Sequence, residues 1–214
     1  MNKLIVSIDG PAGSGKERIA KYIAHKYNLF HLDSGLLYRR VAYLIFKQKI
    51  NVEDKNSIKK LIKNIHKLSN RNNSKLRTEK ISNIASKIAI FPFVRNFVNN
   101  KQRSIVKEIS KKYTGSVIDG RDIGSKVFKE AKIKLFIAVK PEIRSKRRHK
   151  QLIEIGEKSI YAQILKEIKL RDKLDKNRKY SPLIRPKGSI LIDNSSDFKK
   201  TVSTINKIFK KVIK

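Results

Sequence analysis

Short runs of consecutive apolar residues alternate along this chain with longer stretches in which apolar positions recur every three to four residues. Leu4-Ile5-Val6 and Ile8 predict a short buried strand ending at Asp9-Gly10. Ile19, Ile23 and Tyr27, with Ala20 and Ala24 beside them, mark one face of a helix. Leu29 to Leu32 predicts a second strand, ending at Asp33-Ser34-Gly35, and Leu36 to Phe46 a helix. Ser116 to Asp119 and Ile133 to Val139 predict two more strands, the second followed by a helix that Pro141 opens. Ser189 to Ile192 reads as a last strand, and Val202, Ile205, Phe209 and Val212 line a final helix. Strands alternating with helices predict an α/β fold: a central parallel sheet in a three-layer arrangement. Ligands of such sheets sit beyond the carboxyl ends of the strands. Asp9-Gly10, Asp33-Ser34-Gly35 and Asp119-Gly120-Arg121-Asp122 all fall there.

The pattern changes in the middle. From Asn51 to about Arg103 the chain is polar, lysine-rich and mostly of helical period, with Asn70-Arg71-Asn72-Asn73-Ser74 as a loop. This stretch is expected to be a helical insertion in a single domain spanning 1–214, and no internal repeat is visible.

Composition narrows the class. The chain has 214 residues, 39% of them hydrophobic, enough to bury a core. No apolar run approaches the roughly 18 residues of a membrane span, and the N-terminal apolar run suits a strand rather than a signal peptide. With no cysteine there is neither a disulfide nor a thiolate metal site, and four histidines show no metal-ligand spacing. A cytoplasmic monomer is expected. Lys+Arg number 52 against 18 Asp+Glu, a net charge of +34. Such a surface attracts polyanions without specificity. The excess is mostly lysine spread along the whole chain with abundant Ile and Asn. All three have AT-rich codons, and aromatics are only 7%, without the interleaving a stacking surface needs.

Gly10-Pro11-Ala12-Gly13-Ser14-Gly15-Lys16 stands between the first strand and the first helix, the place of a phosphate-binding loop. Consecutive backbone N–H groups there surround an anion, the helix N-terminus adds a favourable dipole, and Lys16 reaches the β- and γ-phosphates of a nucleotide. The pattern asks for a hydroxyl next, but Glu17 and Arg18 follow. Backbone amides of these positions serve phosphate whatever the side chain. Glu17 has two orientations open to it, outward or toward Mg²⁺, and Arg18 brings a compensating charge.

The chain resembles the bacterial cytidylate (CMP) kinases, P-loop nucleoside monophosphate kinases. The resemblance rests on I-D-G-P-A-G-S-G-K at 8–16, L-D-S-G-L-L-Y-R at 32–39 and I-A-S-K-I-A-I-F-P-F-V-R at 84–95. It continues in I-D-G-R-D-I-G-S at 118–125, R-S-K-R-R-H-K-Q-L at 144–152, I-K-L-R-D-K-L-D-K-N-R at 168–178 and S-P-L at 181–183. The departures are Glu17-Arg18, where the family has Gly-Thr or similar, and a segment between Asn51 and Ile81 that is short for the family.

The resemblance implies roles residue by residue. Ser34, Arg39 and Arg121 contact the CMP phosphate, for which guanidinium forks are suited. Ser86, Arg95 and Asp122 read cytosine: a carboxylate accepts from the exocyclic amino group, and arginine donates to N3 or O2. Asp175 accepts from the sugar hydroxyls, Arg171 supports it, and Arg178 assists at the nucleotide site; the spacing i, i+4, i+7 sets the three on one helical face. Arg144, Arg147 and Arg148, at i, i+3, i+4, cluster on one face of the helix opened by Pro141. They form a mobile lid over ATP, about residues 144–160, whose arginines stabilise the transferring charge. ATP lies on Gly10 to Arg18, and Mg²⁺ is held mainly through phosphates and water. Asp9 and Asp119 each have two readings, organising the Mg²⁺ waters or a buried structural role.

The implied activity is phosphoryl transfer from MgATP to CMP or dCMP, giving ADP and CDP or dCDP. A CMP phosphate oxygen attacks in line, and positioning with charge neutralisation supplies the catalysis. Three rivals stand beside it: a nucleotide-binding relative impaired by Glu17-Arg18, a basic nucleic-acid-binding protein on a kinase fold, and a kinase for another small acceptor.

Overall fold

Five strands and eight α-helices appear in the computed structural model, which describes residues 3–70, 73–109, 112–154 and 156–212. Strand β1 (Leu4–Asp9) leads through the glycine-rich loop into α1 (Lys16–Lys26). Then come β2 (Leu29–Asp33), α2 (Ser34–Lys47), α3 (Lys55–Lys63), a 3₁₀ turn at Ser74–Arg77, α4 (Glu79–Ile88) and α5 (Pro92–Lys107). Strand β3 (Gly115–Gly120) runs into a π turn at Ile123–Val127, followed by β4 (Ile133–Ala138), α6 (Pro141–Glu154), α7 (Tyr161–Asn177), β5 (Ile190–Asp193) and α8 (Phe198–Val212).

The strand order is β2-β3-β1-β4-β5. Strand β1 pairs in parallel with β3, setting Asp9 opposite Gly120, and with β4, setting Ile8 opposite Leu135; β4 pairs in parallel with β5. Strands β1 and β3 are central, buried on both faces from Val6 to Asp9 and along all of β3, so neither shows the alternation of a one-sided strand. The expected parallel-sheet α/β fold is present, with helices on both sides.

The chain divides into two compact units. The first is Met1–His31 with Thr114–Lys214; the second is Leu32–Tyr113. In the first, Val6, Ile8, Val117 and Leu135 meet Ile19 and Ile23 of α1 and Ile205 and Phe209 of α8 in one buried cluster. Tyr27 stacks on Phe209 at 4.1 Å, closing the end of α1. The predicted faces of both helices are thus the ones buried.

The second unit is wider than the insertion expected from 51 to 103, because α2 belongs to it. The apolar face of α2, with Leu37, Val41 and Ile45 fully buried, belongs with the buried Ile81, Ala85 and Ile88 of α4. Among its described residues after α2 there is no strand, as the polar helical pattern implied. Asp54 caps α3 by accepting from the amides of Asn56 and Ser57 at 3.0 Å, and Pro92 opens α5. The expected loop at 70–74 falls partly outside the described residues, at positions 71 and 72, and so does position 155 of the expected lid.

Candidate functional site

The loop from Gly10 to Gly15 takes conformations that its glycines permit. Gly13 and Gly15 have φ of 70° and 81°, and a Cβ on Gly15 would lie 2.5 Å from the Asn194 amide nitrogen. Three of the loop's carbonyls are each taken by a side-chain donor. Lys16 Nζ donates to Pro11 O at 3.0 Å, Arg144 Nη1 to Ala12 O at 2.8 Å, and Asn194 Nδ2 to Ser14 O at 2.9 Å. A trans peptide points its N–H opposite to its C=O. Pinning these carbonyls to the protein therefore turns the N–H groups of Ala12, Gly13 and Gly15 the other way, as an anion-binding nest requires. The residues present fit a polyphosphate.

Lys16 opens α1 and is only 7% exposed. Burial, with the nearby Arg121 charge, pushes its ammonium down to about 7. Asp119 and Asp175 oppose that shift and the Arg171 charge adds to it, so Lys16 shares its electrostatic neighbourhood with four of the residues singled out from sequence. Arriving phosphate would restore the lysine's charge.

Glu17 and Arg18 both turn aside. Glu17 pairs with Lys21 one turn on, at 2.9 Å, and the Arg18 guanidinium lies 3.9 Å over the Phe198 ring. Of the two orientations open to Glu17, the structure takes the outward one.

Asp9, fully buried, accepts the amides of Ile123 at 2.7 Å and Gly124 at 2.8 Å, one on each carboxylate oxygen. Burial pushes it up to about 7 against the pull of those two amides, and the Asp122 charge adds to the rise. With one backbone amide on each oxygen, Asp9 anchors the π turn that follows Arg121-Asp122. Asp119, at the end of β3, is 2.7 Å from His31 Nε2.

On α7, burial raises Asp175, but the Arg121 and Arg178 guanidiniums outweigh it and hold the carboxyl below the ordinary value. Arg121 Nε donates to Asp175 Oδ2 at 2.9 Å, and Arg178 Nη1 to Oδ1 at 3.2 Å. The single helical face expected for Arg171, Asp175 and Arg178 needs correcting. The helix ends at Asn177, and Arg178 is its extended C-cap, folding back onto Asp175. The direct partners of Asp175 are Arg121 and Arg178, while Arg171 acts on it through charge.

The arginine cluster on α6 is also corrected. Arg144 is 2% exposed and turned inward, bonded to the Asp172 carboxylate, to Val139 O at 3.0 Å and to Ala12 O. Arg147 donates to Asn194 O at 2.8 Å and Ser195 O at 3.1 Å. Arg148 reaches the exposed Gln151 at 3.0 Å. Spacing of i, i+3, i+4 gives a shared side of the helix, but each guanidinium follows its own acceptor.

In the second unit, Asp33 caps α2 by accepting from Leu36 N at 3.0 Å. Ser34 and Gly35 are therefore the first turn of α2 rather than a loop, and Ser34 is buried there. Arg39 Nη1 is 3.8 Å and Arg77 Nη2 3.6 Å from Asp33 Oδ2, so two guanidiniums converge near the N-terminus of α2. Arg95, buried in the first turns of α5, donates to Ala89 O at 3.0 Å and lies 5.5 Å from the Tyr38 ring. Ser86 is half-buried on α4.

Sequence reasoning missed Arg77, Asp172 and Asn194. A lone Asn or Arg in a polar stretch carries no pattern. Asp172, next to Arg171, is a charged residue on a helix whose partner stands 28 positions away.

The sequence profile of the family described as Cytidylate kinase matches residues 6–214. A cytidylate kinase of Bartonella henselae is 38% identical over 195 residues, 91% of this chain and 88% of its own. One of Clostridium botulinum (strain Okra / Type B1) is 40% identical over 221 residues, covering 99% of this chain and 100% of its own. Among solved structures, TT1252 from Thermus thermophilus superposes with a TM-score of 0.52 over 99% of both chains at 12% identity, a likeness of fold alone. With its phosphate loop, its D-S-G-L-L-Y-R and D-G-R-D-I-G segments and a profile match over nearly its whole length, this chain belongs to the cytidylate kinase family.

Proposed function

We propose that this chain transfers the γ-phosphoryl group of ATP to CMP or dCMP, giving ADP and CDP or dCDP. The observation that carries the reading is the loop at 10–16, whose carbonyls are held by Lys16, Arg144 and Asn194 so that its amides serve an anion. It stands beside a buried lysine and within the field of Arg121 and Arg171.

The polyphosphate of ATP lies on the amides of residues 10–18, and Lys16 turns a second of its three N–H donors to phosphate oxygen while it keeps Pro11 O. Mg²⁺ would be held mostly by the phosphates and by water, where it would neutralise phosphate charge, and Asp119 would organise its waters. Ser34, Arg39 and Arg121 take the CMP phosphate, and Arg121 trades its Asp175 partner for it. Ser86, Arg95 and Asp122 read the base: Asp122 accepts from the cytosine amino group and Arg95 donates to N3 or O2. Uracil carries O4 and N3–H where cytosine carries the amino group and N3, so Asp122 meets an acceptor in place of a donor and uracil is disfavoured. Asp175 accepts from the sugar hydroxyls, and Arg171 and Arg178 keep it ionised.

An oxygen of the CMP phosphate attacks the γ-phosphorus, the bond to the β-phosphate oxygen breaks, and ADP leaves with the electron pair. Lys16, Arg121, Arg147 and Arg148 stabilise the charge on the transferring group. The lid at about 144–160 closes to exclude water, which would otherwise hydrolyse ATP.

Among the described residues no helix is long and apolar enough to cross a membrane. A cytoplasmic monomer that attracts nucleic acid only without specificity fits the charge of +34.

The test is product identification. With ATP labelled in the γ-phosphate, CMP is expected to acquire label as CDP in step with ADP release. Release of labelled inorganic phosphate without CDP would refute the transfer.

A further inference from the structure

We infer that Asp172 is a positioning residue for the donor nucleotide, holding the phosphate loop in its binding shape through Arg144. The inference rests on the reading of residues 10–18 as the ATP site. Arg144 Nη1 and Nη2 both donate to the Asp172 carboxylate, Nε donates to Val139 O at 3.0 Å, and Nη1 also reaches Ala12 O at 2.8 Å. One guanidinium thereby joins α7, the end of β4 and the phosphate loop. Its planar fork makes this possible; an ammonium has no second arm to serve acceptors on opposite sides.

A further contact ties the pair to the loop. The Arg144 stem is the nearest matter to Gly13: a Cβ there would lie 3.7 Å from Arg144 Cβ and 4.0 Å from Cδ. The bond to Ala12 O also sets the Ala12–Gly13 peptide, and with it the direction of the Gly13 N–H. Without Asp172, Arg144 would be a buried unpaired cation and would leave the loop for solvent.

The same helix serves the other substrate one turn on. Asp175 grips Arg121 and Arg178, as Asp172 grips Arg144. Helix α7 thus carries one carboxylate for the donor loop and one for the acceptor arginines. Damage to the first should spare the acceptor.

The experiment compares Arg144→Lys, Asp172→Asn and the core control Ile205→Val. ADP affinity is measured by calorimetry, KM separately for ATP and CMP, and the melting temperature alongside. Arg144→Lys keeps a cation opposite Asp172 but loses the arm to Ala12. Both site variants are expected to weaken ADP binding and raise KM for ATP about tenfold, with KM for CMP within about twofold. The control lowers melting temperature while leaving both KM values alone. Unchanged ADP affinity in Arg144→Lys, or KM values for ATP and CMP rising in parallel, would overturn the inference while the enzyme remains a CMP kinase. If the unsubstituted protein fails to bind ADP, the donor reading of the loop falls and this inference with it.

Discussion

The Arg18 guanidinium lies 3.9 Å over the face of the Phe198 ring, where the family pattern would place a small hydroxyl residue. Glu17 beside it is paired with Lys21. Each side chain thus has a partner outside the loop, whose carbonyls are held by Lys16, Arg144 and Asn194. The double substitution Glu17→Gly/Arg18→Thr is therefore expected to change kcat/KM for ATP by less than about fivefold, or about 1 kcal/mol. Steady-state kinetics at saturating CMP checks this. A rise of a hundredfold would show that Glu17 and Arg18 had been suppressing the site.

Lys16 titrates near 7 in the free protein, because burial and the Arg121 charge disfavour its ammonium. At pH 8 roughly nine in ten molecules hold it neutral, and bound phosphate favours the charged form. ATP binding at pH 8 should take up close to one proton, and at pH 6 nearly none from this group. Calorimetry in buffers of different ionisation enthalpy reads the number directly. Lys16→Arg stays charged throughout and should abolish the uptake at pH 8.

Asp9 has the opposite shift, upward to about 7, set first by burial. Its folded value lies above its unfolded one, so the stability gained from the protonated form is fully present below about pH 4. It is lost as pH rises through about 7. Asn has no such titration. Replacing an acceptor of the Ile123 or Gly124 amide with an NH₂ group costs about 1–3 kcal/mol at every pH. Thermal melts should therefore show Asp9→Asn less stable than the parent at pH 5, with the gap narrowing toward pH 8. A gap that widens over that range would contradict the assignment.

In the proposed function, Asp122 and Arg95 read the base. Asp122→Asn presents an NH₂ group that suits a uracil carbonyl better than a cytosine amino group. It is expected to lower kcat/KM for CMP about 10- to 100-fold and to narrow the preference over UMP. A variant that loses both substrates equally would place Asp122 outside base recognition.

Much of this was legible in the sequence, for reasons that particular residues make plain. Central strands such as Val117-Ile118 are apolar on both faces, and α1 and α8 bury a single face each. The phosphate loop is legible because local backbone geometry demands its glycines. What was not legible depends on partners far along the chain. The inward turn of Arg144 is decided by Asp172 and by the carbonyls of Val139 and Ala12, none of which the α6 spacing reveals. Asp33-Ser34-Gly35 has the composition of a turn, yet Asp33 acts as an N-cap, so Ser34 begins α2. Arg178 keeps the i+7 spacing from Arg171, but the helix stops one residue before it. Asn194 supports the loop from the end of β5 because Thr201 donates to its Oδ1 at 2.9 Å and fixes the amide's orientation.

The most direct test of the central claim is ADP release from the purified protein with MgATP and, in turn, CMP, dCMP, UMP and AMP. Turnover with CMP and dCMP at least about tenfold above UMP and AMP is the predicted result. Equal turnover with all four, a preference for UMP or AMP, or no ADP release with any of them would contradict it.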